Sequence, residues 1–489
     1  MAKVAVIGMG YVGIPIAVLL AEAGYEVRGI QRQSERSGWK IGWLNAGRCP
    51  IGGKEPELPG LLEKVVREGR FRAGEDYGEV RGCDLVLIDV QTPTDGSHQP
   101  QYRSLEEACR GIGRYLSPGQ VVILESTVAP GTTLGVVRPL LEEASGLRAG
   151  LPEGFGLCFS YERVMVGRLV HNIRYYPRVV GGIDAASTSR AVELYRKVVR
   201  AAIHGTDIVT AEVAKTVENA YRDVQIAFAN EVALICEGLG VDVYAVRQLV
   251  NGLPDDPTLP QANPVRHMHF PGAGVGGHCL PKDSWLLLHG YQESLKRRGF
   301  FPVGNVAGDL SGGEQLSASR PLSLLKAARY LNDWMPCHMV ELLEAGLREA
   351  GRGLRGSRIG VLGYAFLEDS DDSRNTPTKR LLVELEKRGA ESRVHDPYIR
   401  ETETGQRIEE DLEKALEGCD GVVLMTRHSV YRSLTPARLQ GLLRTRVVVD
   451  GRNTWDGQEF LAGGFIFKGV GKGNLAKSLS PTRRNYPPC

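Results

Sequence analysis

The chain has 489 residues, 42% hydrophobic and 24% charged, an ordinary globular composition too long for one core, so two or three domains are expected. Lys and Arg number 60 against 58 Asp and Glu, a net charge of +2, and this balance argues for neither nucleic acid nor an anionic membrane as a partner. The 9 cysteines form no CxxC pair, which speaks against a disulfide framework or a zinc site and for a reducing compartment. The start, Met1-Ala-Lys-Val-Ala-Val-Ile7, runs straight into a strand with no signal peptide, and no apolar run near it is long enough to span a bilayer, so the expectation is a soluble cytoplasmic protein without a metal.

Lys3 to Ile7 is a short β-branched run, and Gly8-Met-Gly10-Tyr11-Val12-Gly13 follows it directly, with a helical pattern to Ala23. Strand, GxGxxG, helix is the context of a dinucleotide-binding turn: Gly8 turns, Gly10 lets pyrophosphate approach, Gly13 lets helix pack on strand, and the helix start offers N–H groups to phosphate. Glu26 to Ile30 reads as the second strand. Its end, where an acidic residue holds the adenosine ribose of NAD, carries Gln31 and Arg32 instead, with Arg36 beyond. Two readings follow. Arg32 and Arg36 accept a 2′-phosphate and the cofactor is NADP, or Gln31 bonds the ribose and it is NAD; NAD is the expectation.

Residues 38–60 are rich in Gly and Pro and read as a loop; Leu61 to Gly69 reads as a helix. The strand Asp84 to Val90 ends in Gln91-Thr92-Pro93-Thr94, a helix spans Leu105 to Leu116, and the strand Gln120 to Glu125 ends in Ser126-Thr127. Ligands bind beyond the carboxyl ends of parallel strands, so Thr92, Pro93, Ser126 and Thr127 are candidates, although each hydroxyl serves equally as a helix cap. Strands at Gly156–Ser160 and Arg178–Gly182 flank Tyr161-Glu162-Arg163-Val164, where Glu162 is a candidate acid/base. From Thr210 to Gly240 one long helix is expected. It carries Lys215, Asn219 and Arg222 on one face and Ala214, Val217, Tyr221, Val224 and Phe228 on another, which suggests a spine and a subunit interface.

Phe270-Pro-Gly272-Ala-Gly274-Val-Gly276-Gly-His-Cys279-Leu-Pro-Lys282-Asp283 is the stretch richest in chemistry. A thiol among glycine amides, a cation and a carboxylate has the parts of an activated nucleophile; a glycine turn with a buried structural Cys is the plain alternative. Residues 292–320 read as an inserted loop, Leu322–Leu331 and Val340–Ala350 as helices broken at Pro336. A second βαβ unit has strands at Arg358–Leu362, Ser392–His395, Gly421–Met425 and Arg446–Asp450 and helices at Pro377–Lys387 and Ile408–Glu417. Its loops hold Arg374 and Arg452, which suit anion binding.

Taken together, the fingerprint at 8–13, Thr92-Pro93, Ser126 to Thr132, Glu162-Arg163, Glu212 to Glu231, Gly276-Gly-His-Cys-Leu-Pro-Lys-Asp283, Asp372-Ser-Arg374, Asp396-Pro397 and Asp450-Gly-Arg-Asn453 resemble the UDP-glucose/GDP-mannose dehydrogenase family over nearly the whole chain. The resemblance implies two Rossmann-like, doubly wound parallel-sheet α/β domains joined by a helical central region with a long spine helix. Its boundaries are 1–205 for NAD binding, 206–345 for dimerisation and the Cys loop, 346–480 for UDP-sugar binding, and a disordered 481–489 tail. It implies oxidation of a sugar C6 alcohol to a carboxylate with two NAD: Cys279 as the covalent nucleophile, Lys215 for oxyanion charge, Asn219 holding an oxygen, and Asp283, Glu162 and Thr127 activating water. Gly8, Gly10, Tyr11, Val12, Gly13, Gln31, Arg32, Arg36, Thr92, Pro93, Ser126, Thr127, Lys282 and Arg374 would face the cofactor. Glu162, Arg163, Lys215, Asn219, Arg222, Gly272, Gly274, Gly276 and Arg452 would face the UDP-sugar, with Arg266 reaching it in a neighbouring subunit of a homodimer or larger homo-oligomer. The Gly-Gly-His-Cys form is similar to the branch acting on UDP-N-acetylhexosamines, UDP-N-acetyl-D-mannosamine first. UDP-N-acetylglucosamine, UDP-N-acetylgalactosamine and UDP-glucose are the alternatives, and a two-electron hydroxyacid dehydrogenase or a non-catalytic dinucleotide-binding protein is more remote.

Overall fold

The structure, a computed structural model, describes residues 2–32, 38–52, 55–252, 267–297, 324–403, 405 and 407–473. Arg36, Arg266, most of the 292–320 segment and the 481–489 tail therefore lie outside the described residues. The chain divides into two compact units, Met1–Ala220 with Lys282–Pro321, and Tyr221–Pro281 with Leu322–Cys489.

The first unit is built on an eight-stranded sheet: β1 Lys3–Ile7, β2 Glu26–Ile30, β3 Phe71–Gly74, β4 Leu85–Ile88, β5 Val121–Leu124, β6 Gly156–Phe159, β7 Arg178–Gly182 and β8 Ile203–Asp207. Their order is β3-β2-β1-β4-β5-β6-β7-β8. The strands Val4–Ile7, Leu85–Ile88 and Val121–Leu124 are buried along their length, as expected where helices cover both faces of a parallel sheet. Two apolar cores result, one around Val4, Val6, Leu87 and Ile123, the other around Ala5, Ile7, Val86 and Leu124. The sheet is parallel as expected except at one place, where β6 and β7 pair antiparallel, Phe159 opposite Gly181. The expected 38–60 loop contains a helix, Trp39–Asn45, and the start of another, Leu58–Arg67. Asn45 explains the first: its side chain donates to Ala73 O at 2.9 Å and accepts from Ala73 N at 2.8 Å, closing the edge of β3.

The second unit has a five-stranded sheet, β9 Arg358–Leu362, β10 Glu391–His395, β11 Gly421–Leu424, β12 Val447–Asp450 and β13 Ile466–Gly469, parallel throughout in the order β10-β9-β11-β12-β13. Residues 408–409, expected in a helix, run extended beside β10, Glu409 N donating to Val394 O at 2.8 Å; the helix is shorter, Leu412–Leu416. The expected break at Pro336 is also corrected. One helix runs from Leu324 to Glu349 with Pro336 inside it. Met335, Met339, Val340 and Leu343 are fully buried around the proline, so tertiary packing holds the helix through a residue that cannot donate its N–H. The long Ile208–Leu239 helix stands as expected.

Within this unit His338 lies between two carboxylates, Nε2 at 2.9 Å from Glu237 Oε2 and Nδ1 at 3.3 Å from Glu341 Oε2. Burial opposes its charge, but Glu237 and Glu341 outweigh that and raise it above the usual histidine range. A raised folded-state value means the stabilisation is whole below the unfolded value and is lost as pH rises through the folded one. The urea midpoint is therefore expected to fall as pH rises above the usual histidine range, and His338→Gln to flatten that slope; a slope unchanged in the variant would refute the assignment.

Candidate active site

The glycine loop after β1 has the shape that a pyrophosphate needs. Gly8 has φ +103°, and a Cβ there would stand 2.3 Å from Asp89 O; one on Gly13 would stand 1.9 Å from Gly8 O, while nothing lies within 4 Å of the Cβ position at Gly10. The close contacts need glycine, and the open side at Gly10 leaves room for a ligand beside the Gly13–Glu22 helix start. Tyr11 and Val12 are half-buried on this turn. Gln31 is turned toward the loop, its Oε1 accepting from Met9 N at 3.0 Å, and Arg32 is ion-paired with Glu107. The residues present therefore fit a bound dinucleotide.

The two hydroxyl-bearing loops after β4 and β5 are tied to each other. Thr92 Oγ1 donates to Thr127 O at 2.6 Å and Ser126 Oγ to Val90 O at 2.7 Å, while Pro93 is exposed. The next turn is pinned by Glu212, in the first turns of the Ile208–Leu239 helix. Its carboxylate accepts from Gly131 N at 2.5 Å, Thr133 N at 2.8 Å and Thr133 Oγ1 at 2.6 Å. Burial raises this carboxyl, and the hydrogen bonds only partly offset that. One turn further on, Lys215 is buried, and its ammonium donates to Glu162 O at 2.7 Å. Glu162 bends its own carboxylate back to Val164 N. Arg163 is held by Glu218 at 2.9 Å and by Tyr161. Asn219 Nδ2 donates to Asp283 Oδ2 at 2.5 Å, and Lys282 Nζ reaches Asp283 Oδ1 at 2.7 Å. Asp283 is fully buried, so the amide and the ammonium share its charge. The first unit thus brings Lys215 to Glu162, and Asn219 and Lys282 to Asp283.

In the second unit the loop before Cys279 is stitched to two strand-end loops. Ala273 N donates to Gly451 O at 3.1 Å, Gly277 N to Arg374 O at 2.9 Å, and Asn375 Nδ2 to Gly277 O at 3.0 Å. The Arg452 guanidinium donates to Met425 O at 2.8 Å and to Gly274 O at 3.3 Å. A Cβ on Gly272 would be 2.8 Å from Arg452 Nη1, and one on Gly276 2.6 Å from Phe366 Cβ, so glycines allow this fit. Among the described residues no carboxylate lies within ion-pair distance of Arg452, and burial pushes its guanidinium down to about 10. Arg374 is instead paired with Asp372, Nε to Oδ1 at 2.8 Å. Arg222 is exposed on the long helix. Cys279 is half-buried, outside any disulfide, immediately before the Leu280–Arg297 helix.

Sequence reasoning passed over the residues that hold this loop. Gly272 N donates to Asn230 Oδ1 at 2.9 Å, Asn230 Nδ2 to Asn332 Oδ1 at 2.9 Å, and Asn332 Nδ2 to Asp223 Oδ1 at 2.8 Å. Arg329 Nη1 closes the chain on Asp223 Oδ1 at 2.6 Å. All four side chains are fully buried. The available signal was a set of polar residues, Asp223 and Asn230, on a helix otherwise rich in Ala and Val; Glu212 gave the same signal.

Comparison with known proteins places these segments. Residues 2–199 match the UDP-glucose/GDP-mannose dehydrogenase family, NAD binding domain; residues 209–298 match its central domain, and residues 360–457 its UDP binding domain. A solved structure of an NDP-N-acetyl-D-galactosaminuronic acid dehydrogenase from Methanosarcina mazei Go1 is 42% identical, covers 97% of this chain and 96% of its own, and superimposes with a TM-score of 0.79. A UDP-N-acetyl-D-mannosamine dehydrogenase from Pyrococcus horikoshii is 34% identical over 97% of this chain and 100% of its own length. An NDP-N-acetyl-D-galactosaminuronic acid dehydrogenase from Ralstonia nicotianae is 30% identical over 94% of this chain and 97% of its own.

Removing Asn230 leaves the buried Gly272 N–H without an acceptor. Asn230→Ala is expected to cost about 1–3 kcal/mol, read as a lower urea midpoint; an unchanged midpoint would show that the network does not hold the loop.

Proposed function

The chain belongs to the UDP-glucose/GDP-mannose dehydrogenase family, and we propose that it oxidises the C6 alcohol of a UDP-N-acetylhexosamine to the carboxylate in two steps. The names of the relatives divide between N-acetylmannosamine and N-acetylgalactosaminuronic acid. The substrate class is therefore the proposal, with UDP-N-acetyl-D-mannosamine the first compound to test. The observation that carries the reading is Cys279 at the head of the Leu280–Arg297 helix, after a glycine loop stitched to the half-buried Arg452, whose guanidinium has no ion-pair partner among the described residues. Arg452 is the cation we assign to the UDP diphosphate, which would supply its missing counter-charge.

The glycine cradle would hold two NAD molecules in turn, and each would supply the acceptor for one hydride. Loss of the first hydride and a proton turns the alcohol into the aldehyde. The Cys279 thiolate, favoured by the helix start, adds to the aldehyde carbon and retains it as a thiohemiacetal. Loss of the second hydride leaves a thioester, and water releases the carboxylate and the thiol. Lys215 supplies positive charge for the oxyanion. Asn219 holds an oxygen, and Asp283, with Glu162 and Thr127, orients and deprotonates water. Covalent capture keeps the half-oxidised sugar from leaving between steps.

The long helix exposes Val217, Tyr221, Phe228, Ile235 and Leu239 along its length. A row of this size is too apolar for a free surface and supports a homo-oligomer formed on it. No helix among the described residues is long and apolar enough to cross a membrane, which fits the cytoplasm, where nucleotide sugars are substrates.

Two NADH are expected per UDP-sugar consumed, and Cys279→Ala is expected to lower the rate of carboxylate formation by about 10³-fold or more. One NADH with free aldehyde, or an active Cys279→Ala variant, would overturn the mechanism. Tyr221→Glu with Phe228→Glu is expected to dissociate the oligomer in sedimentation; wild-type protein that already sediments as a monomer would refute the interface.

A further inference from the structure

The end of β2 is where a dinucleotide fold reads the adenosine ribose, and here the reading groups are Gln31 and Arg32. Gln31 faces inward, its Oε1 on Met9 N. Arg32 is held from outside by Glu107, 75 residues further on. Glu107 belongs to the Arg103–Gly113 helix and also accepts from Arg103 Nε at 3.0 Å. What brings this helix so near is Gly111, one turn after Glu107. A Cβ at Gly111 would stand 2.9 Å from the Tyr77 ring, so only glycine lets the helix lie flat against that tyrosine. The charges of both Arg32 and Glu107 reach Tyr77, whose hydroxyl is raised chiefly by its burial. Arg32, Glu107 and Tyr77 therefore form one cluster at the end of β2, and Gly111 sets the spacing.

We propose that Glu107 is the residue that makes this chain choose NAD over NADP. An arginine at this position, left to itself, is a receptor for a ribose 2′-phosphate, since its planar fork pairs with phosphate in two hydrogen bonds. With Glu107 in place the fork is already engaged by a carboxylate. A 2′-phosphate has to displace that carboxylate and then lie beside it, two like charges a few ångströms apart. The 2′-hydroxyl of NAD carries no charge and meets neither obstacle. The same pair accounts for how a chain without the usual ribose acid keeps the preference such an acid supplies: the negative charge comes from a neighbouring helix. The inference rests on the reading of this unit as the NAD-binding part of a dehydrogenase.

The pair is exposed, 64% and 41% at the two side chains, so it contributes little to folding and can be altered without unfolding the unit. The test is isothermal titration calorimetry of the whole protein with NAD and with NADP, for the wild type, Glu107→Gln, and Glu107→Gln with Arg32→Ala. Glu107→Gln is expected to raise the NADP-to-NAD affinity ratio by about tenfold, the scale of one charge-assisted phosphate contact. Arg32→Ala in the same chain is expected to cancel that gain, and added salt to shrink it. A ratio unmoved by Glu107→Gln overturns the proposal, and so does a gain that survives the loss of Arg32. A wild type that binds neither dinucleotide overturns the cofactor reading and this inference with it; one that binds NAD but oxidises no UDP-sugar leaves the titration able to decide the role of Glu107.

Discussion

A carboxylate taken out of water must be repaid by hydrogen bonds, and Glu212 shows how much structure that requirement can fix. It is fully buried, and its two oxygens take up Gly131 N, Thr133 N and Thr133 Oγ1. An ion in that position with fewer partners would be costly enough to unfold the region or to neutralise itself. The turn at 129–133 therefore has one place to go. Ser126 and Thr127 precede that turn, and Thr127 is also tied to Thr92. One buried acid at the start of a helix thus orders the hydroxyl-bearing ends of two parallel strands.

The same helix repeats the device further along in the other unit. Asp223 and Asn230 are buried polar groups on an apolar helix; both bond to Asn332, and Arg329 balances the charge of Asp223, although Asp223 Oδ2 and Arg329 Nε are left without a hydrogen-bond partner among the described residues. The end of that chain of bonds is Gly272 N, in the loop that precedes Cys279. A buried network with atoms left unpaired adds little net stability; what its directional bonds do is specify one position for the loop. The glycines do the complementary work. They allow Arg452 and Phe366 to stand where a β-carbon would otherwise be.

These features explain what could be read from the sequence and what could not. The strands at Lys3–Ile7, Leu85–Ile88 and Val121–Leu124 were legible because a strand buried on both faces is a continuous apolar run. The Gly8–Gly13 turn was legible because only glycine satisfies its geometry. By contrast β3 and β8 are edge strands of four or five residues, Phe71-Arg-Ala-Gly and Ile203-His-Gly-Thr-Asp. One residue of β3 and three of β8 face solvent, β8 has no buried residue, and neither carries an apolar run. Pro336 reads as a helix breaker because the packing of Met335, Met339 and Leu343 that overrides it comes from residues remote in the chain. Asn230 and Asn332 are 102 residues apart, and neither means anything without the other.

Gln31 and Arg32 are the sharpest case of that limit. Read locally, an arginine at the end of the second strand points to a 2′-phosphate and a glutamine points to a ribose hydroxyl. Both inferences are sound chemistry, so the local sequence holds no decision. The decision lies in a competitor on another helix, brought within reach by a glycine four residues beyond it. A motif records which groups are present; whether a cation among them is available to a ligand depends on what else the fold sets beside it. The same contrast separates Arg374, whose guanidinium is taken up by Asp372, from Arg452, whose guanidinium has only carbonyl partners among the described residues. The two arginines look alike as anion-binding candidates in the sequence. The half-buried Arg452 guanidinium, without an ion-pair partner among the described residues, bears a desolvation cost that Arg374, paired with Asp372, does not.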